Sequence, residues 1–121
     1  MAEASPPVVA ILADDLIWST RLVASATAAG LLPRSVRRLP DLEAILGDAV
    51  TLVIVDLTAR AYDGVEAVGA ATGAGARVLA VGQHDDRELR RRAIAAGAGD
   101  VLPYRRLFED GPAVLRAWSQ R

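Results

Sequence analysis

Three short runs, VVAILA at Val8–Ala13, TLVIV at Thr51–Val55 and VLAV within Arg77–Val81, are almost unbroken sequences of β-branched and other apolar residues. Such a strand is apolar on both faces and must be covered on both. In a chain of 121 residues that means a central parallel sheet with helices packed on either side. The segments between the runs are longer, alanine-rich and punctuated like helices. Two further strands complete the set. Arg34–Leu39 alternates polar with apolar after Pro33, which suits a sheet edge, and Asp100–Leu102 is the last. Right-handed crossovers then predict an α/β fold, a doubly wound five-stranded parallel sheet of order 2-1-3-4-5, in one domain spanning residues 1–121.

The spacing predicts a first helix over Ile17–Ala29, stopped by Gly30, and a short second over Leu42–Leu46 capped by Asp41. Asp63-Gly64-Val65-Glu66 has capping-box spacing and opens a third. Asp85 or Asp86 caps a fourth, ending at Gly97. The fifth covers Phe108–Ser119, its regular part beginning near Gly111-Pro112.

All 14 cationic side chains counted as Lys+Arg are arginines. Without lysine there is no Schiff base and no phosphate-loop lysine. Without cysteine there is no thiol catalysis and no thiolate metal site, and one histidine, His84, cannot build a histidine-rich centre. A formal charge of −1 gives no general pull toward nucleic acid or membrane. No uncharged run is long enough to cross a bilayer and the first residues lack a basic start, so a cytoplasmic protein is expected. Gly73-Ala74-Gly75 follows a helix and precedes a strand, the reverse of a dinucleotide-binding turn. No glycine-x-serine-x-glycine elbow supports a hydrolase.

In the expected topology the crevice lies at the carboxyl ends of strands one and three. Asp14 and Asp15 follow strand one, and Asp56 terminates strand three. Each acid alone reads as a polar strand end or a cap. Three together are costly unless solvated, sharing protons or bound to a hard cation such as magnesium.

These residues, with Asp63-Gly64-Val65-Glu66 and the segment Ala95-Ala96-Gly97-Ala98-Gly99-Asp100-Val101-Leu102, resemble the CheY-like receiver domains of bacterial response regulators over nearly the whole chain. The resemblance implies two-component phosphorelay signalling. Asp56 stands at the phosphoacceptor position, and Mg2+ would be held by Asp14, Asp15, Asp56 and the backbone carbonyl of Thr58. It implies a histidine kinase or a signalling output protein as partner, and homodimers through helix four, strand five and helix five. Gly82-Gln83-His84-Asp85-Asp86 also resembles a glycine-x-histidine-x-aspartate turn in divergent receivers.

Two positions depart from the family. Gly82 stands where a threonine or serine hydroxyl is usual, and Tyr104 where the lysine is usual; a lesser departure, outside these two, is Arg60 where a proline is common. A lost hydrogen bond to a charged group costs about 1.5–3 kcal/mol, as large as a typical allosteric coupling of about 1–3 kcal/mol. The expectation is therefore a pseudo-receiver, a non-enzymatic module that binds protein without the usual switch. The alternative is a phosphoaccepting receiver using Asp56 and Mg2+. Gln83, His84 and Arg106 are candidate neighbours of the site; alternation along an extended segment aims Arg106 the same way as Tyr104. The Arg90-Arg91-Arg92 run, with Arg87 one turn before it, offers nucleic-acid binding as a third reading, which is not favoured because adjacent helical residues point in different directions.

Overall fold

The structure is a computed structural model and describes residues 5–47, 49–83 and 85–121. Its elements are β1 (Val8–Leu12), α1 (Leu16–Ala28), β2 (Leu32–Val36), α2 (Leu39–Ile45), β3 (Val50–Asp56), α3 (Gly64–Gly73), β4 (Arg77–Gly82), α4 (Arg87–Ala96), β5 (Asp100–Pro103) and α5 (Tyr104–Ser119). The strands form one parallel sheet of order β2-β1-β3-β4-β5. This is the expected doubly wound architecture. No helix among the described residues is long and apolar enough to cross a membrane.

The apolar runs behave as two-faced strands because successive side chains alternate. Val9, Ile11, Leu52, Ile54, Leu79 and Val81 pack with Leu22 and Ala26 of α1 and Leu115 and Trp118 of α5. Ala10, Leu12, Val53, Val55, Val78 and Ala80 face the other way, onto Leu42, Val68 and Ala93 of α2, α3 and α4. The same alternation puts Asp56, two residues beyond Ile54, on the α1/α5 side. Trp118 is buried in this layer.

Three boundaries differ from the sequence reading. β2 begins at Leu32, so Pro33 lies inside the strand; as an edge strand paired only with β1, β2 tolerates a missing N–H. α2 begins at Leu39 with Pro40 in its first turn, and Asp41 therefore sits inside the helix instead of capping it. The largest difference is α5, which starts at Tyr104, a full turn early, and continues through an irregular residue, Asp110, to Pro112. Pro112 lacks an N–H and breaks the ladder there, as the sequence indicates, but Leu107 is buried and anchors the preceding turn. The caps at Asp63 and Asp86 form as expected, the first accepting from the N–H groups of Val65 and Glu66, the second from Leu89.

Two glycines of α3 are expected to respond oppositely to alanine. A Cβ on Gly64 would lie 2.7 Å from the Cα and carbonyl oxygen of Leu57, which are backbone and cannot yield, whereas one on Gly69 meets nothing within 4 Å. Gly64→Ala should destabilise by about 1–3 kcal/mol, and Gly69→Ala should stabilise by about 1 kcal/mol. Chemical denaturation of the two variants checks both signs.

Candidate functional site

The carboxyl ends of β1 and β3 open into a cleft of about 480 Å³ lined by Asp14, Asp15, Trp18, Asp56, Thr58, Arg60, Gln83 and Tyr104. The topology thus brings the three sequence-predicted acids, Gln83 and Tyr104 to one place. Arg106 does not join them. It lines a separate surface with Pro103, Arg105 and Glu109, because α5 has already begun and a helix turns residues two apart to nearly opposite sides. His84 lies outside the described residues. Gly82 ends β4, and a Cβ there would meet the Leu57 side chain at 3.4 Å.

Asp56 is the one buried charged residue among those described, with 2% of its surface exposed. Its Oδ1 accepts from the backbone N–H of Thr58 at 3.1 Å, from the Thr58 hydroxyl at 3.2 Å and from the Tyr104 hydroxyl. The two hydroxyls also lie within hydrogen-bond reach of each other. Burial pushes the Asp56 carboxyl above the usual range; the Tyr104 and Thr58 donors oppose that shift without cancelling it, and Asp14 adds to it. Burial, and then the Asp56 carboxylate that takes its hydrogen bond, raise Tyr104, which therefore stays protonated and donates.

Asp14 has a different role. Its Oδ2 accepts two backbone N–H groups, from Arg60 and Ala61, each at 2.9 Å. Partial burial works to raise its pKa, but the two N–H groups and the Arg37 guanidinium outweigh it and hold the carboxyl below the usual range. Asp14 is thus the pin that fixes the loop after β3. Asp15 caps α1, accepting from the Trp18 N–H at 3.0 Å. Among the described residues, no three acids or histidines gather closely enough to make a metal ligand set.

Three contacts escaped the sequence reading. Thr58 contributes its hydroxyl and N–H to Asp56, where only its carbonyl had been singled out. Tyr62 is buried, its hydroxyl 2.9 Å from the Leu12 carbonyl and 2.7 Å from that of Asp56, sharing one proton across the ends of β1 and β3. Trp18 stacks on Tyr104 with ring centroids 4.4 Å apart, joining the first turns of α1 and α5 over the cleft. The signal available for the last two was scarcity, since aromatics make up 4% of the chain.

The backbone has close counterparts among solved structures. The CheY-like receiver domain of Methanospirillum hungatei JF-1 superposes with TM-score 0.75 at 18% identity, covering 96% of this chain and 98% of that one. The BeF3-activated receiver domain of DrrB from Thermotoga maritima gives 0.76 at 19%, covering 96% of each. A Burkholderia pseudomallei response regulator with a phosphorylated aspartic acid, calcium ion and citrate gives 0.71 at 16%, covering 79% of this chain and 58% of that one. The chain has the receiver fold. No protein-family model matches it, and no curated protein sequence matches it.

The raised pKa of Asp56 fixes the sign of a stability effect. A carboxyl whose folded pKa exceeds its unfolded value contributes stability that is full below the unfolded value, about 3.9, and lost as pH rises through the folded one. Asp56→Asn keeps a carbonyl acceptor for Tyr104 and Thr58 but carries no charge. It should melt a few degrees higher than the parent at pH 7, with the gap shrinking as pH falls through the raised folded pKa and gone below about 4. Thermal melts across that range check it; a lower melting temperature at pH 7 would overturn the assignment.

Proposed function

We propose that this chain is a receiver-fold signalling module that acts by binding a protein partner and is not switched by aspartyl phosphorylation. The observation that carries this reading is the Tyr104 hydroxyl on Asp56 Oδ1. A phosphoryl group on Asp56 would add about one and a half to two negative charges, which need a cation or charge-assisted donors to hold them. The position from which the family supplies a lysine supplies here a neutral hydroxyl, and it is already engaged. No ion pair among the described residues reaches Asp56. At Gly82 the second phosphate contact has no side chain to make it. In this reading the module is not an enzyme.

A divalent cation, as in the Burkholderia structure, would here be held by Asp14, Asp15, Asp56 and the Thr58 carbonyl. In this arrangement one oxygen of each carboxylate is already engaged and the other is left to a cation. Two backbone amides hold Asp14, a helix cap holds Asp15, and the three carboxylates do not converge as a set. A phosphoaccepting receiver remains the competing reading, favoured by the fact that all three acids line one cleft.

Acetyl phosphate with magnesium separates the two. The expected result is an unchanged intact mass and unchanged fluorescence from Trp18, whose stacking on Tyr104 makes it a reporter of the site. Gain of one phosphoryl group that disappears in Asp56→Asn, together with a Trp18 response, would overturn the proposal. Tyr104→Lys should move the protein toward phosphate uptake, because it restores a cation against the carboxylate.

A further inference from the structure

Helix α5 is built as two helices end to end. Asp110 leaves the helical region at φ −152° and ψ 46°, and Pro112 has no N–H to donate to the Phe108 carbonyl one turn back. Residues 104–109 are therefore set apart from the body of the helix. That body is fixed at both ends. Gly111 is buried against α1, where a Cβ on it would collide with the Ser25 hydroxyl, and Arg116 and Arg77 donate to the carbonyls of Ala28 and Ser119 at 3.0 and 3.1 Å.

The detached turn has little support from its own backbone. It is far shorter than the roughly 12–15 residues below which isolated helices are marginal in water, and no side chain caps its start at Pro103. Side chains hold it instead. Leu107 is 5% exposed, and the Tyr104 ring lies on Trp18 while its hydroxyl donates to Asp56. The Arg21 guanidinium sits 4.4 Å from the Phe108 ring, but Phe108 is 61% exposed, and the Arg105–Glu109 pair lies in solvent, where it contributes little. Tyr104 and Leu107 thus carry the closed arrangement, and Tyr104 is one wall of the cleft that holds Asp56.

We propose that residues 104–109 form a lid over the acid cleft, hinged at Asp110 and Gly111, latched by the Tyr104 hydroxyl, and able to open while the rest of the domain stays folded. Opening breaks few contacts, because the sheet, α2, α3, α4 and the part of α5 beyond the hinge keep theirs. It takes the Tyr104 donor away from Asp56 and widens the cleft. A ligand that needs Asp56 then binds only to the open fraction, and its apparent affinity falls by that fraction. The closed lid is in that sense an autoinhibitory contact. It goes beyond the partner-binding reading, which holds whether or not the lid moves.

The chain has no cysteine, so a single introduced thiol reports on its own position. Leu107→Cys places it under the lid and Leu115→Cys in the same helix beyond the hinge, both at buried sites. In the whole chain, a small maleimide should label Leu107→Cys about tenfold or more faster than Leu115→Cys, at a rate little changed by low denaturant. Adding Gly64→Ala, which weakens α3 on the opposite face of the sheet, should speed labelling of Leu115→Cys and leave that of Leu107→Cys unchanged. Adding Tyr104→Phe removes the latch and should speed labelling of Leu107→Cys by about tenfold or more. Equal rates for the two thiols, a Gly64→Ala effect of the same size on both, or indifference of Leu107→Cys to Tyr104→Phe would each overturn the lid. If Leu107→Cys does not fold, trypsin cleavage after Arg105 and Arg106 of the otherwise unaltered chain is read against the same two substitutions. Phosphate uptake at Asp56 with the two rates still split would sink the proposed function alone, whereas a common rate with an inert Asp56 would sink only the lid.

Discussion

A carboxylate with 2% exposure at the end of a central strand has to be satisfied by whatever surrounds it, and the architecture of this domain is arranged around how Asp56 is satisfied. Its Oδ1 gathers an N–H and two hydroxyls, all uncharged. Its own backbone carbonyl accepts from Tyr62, which ties β3 to the neighbouring end of β1. Both tyrosines of the chain are therefore spent on one residue. Through the Trp18–Tyr104 stack, the same residue links the first turns of α1 and α5. In this domain the acid acts as a joint between two strands and two helices.

The topology and the crevice were legible because they follow from periodicity. Continuous apolar runs require cover on both faces, and right-handed crossovers then fix where the carboxyl ends meet. Asp14, Asp15 and Asp56 needed no more than that. What periodicity could not reach was the start of α5. Pro112 reads as a helix beginning, and the stretch before it looks extended, but Leu107 buries itself and draws residues from Tyr104 onward into helix. That single shift turned Arg106 away from the cleft and brought Tyr104 to its head. The hydroxyl bond to Asp56 was thus hidden behind a boundary error. Thr58 was missed for another reason: a side chain two residues along that folds back on an aspartate is a local turn contact without a sequence period.

The two departures from the family pattern, Gly82 and Tyr104, sit on opposite faces of the sheet and have different physical consequences. Tyr104 lies on the α1/α5 side, where it fills space and provides a donor. Gly82 opens space on the α4 side, beside Leu57 and Arg90. One change closes the acid site inward while the other leaves a concavity outward.

Arginine abundance sharpens the point about Tyr104. Every cation in the chain is arginine, so the simplest replacement for a lysine lost to a general bias would be arginine at position 104. A guanidinium there would hold Asp56 ionised through a charge-assisted bond and would still read an added phosphoryl group. Tyrosine offers a neutral donor in its place. Its hydroxyl only partly offsets the desolvation of the carboxylate, whose pKa stays above the usual range. The Tyr104 hydroxyl that donates to Asp56 is also the group that knits α5 to the sheet. Changing how Asp56 is satisfied would therefore loosen that joint, because the environment of the acid and the packing of the α1/α5 face rest on one hydrogen-bond network.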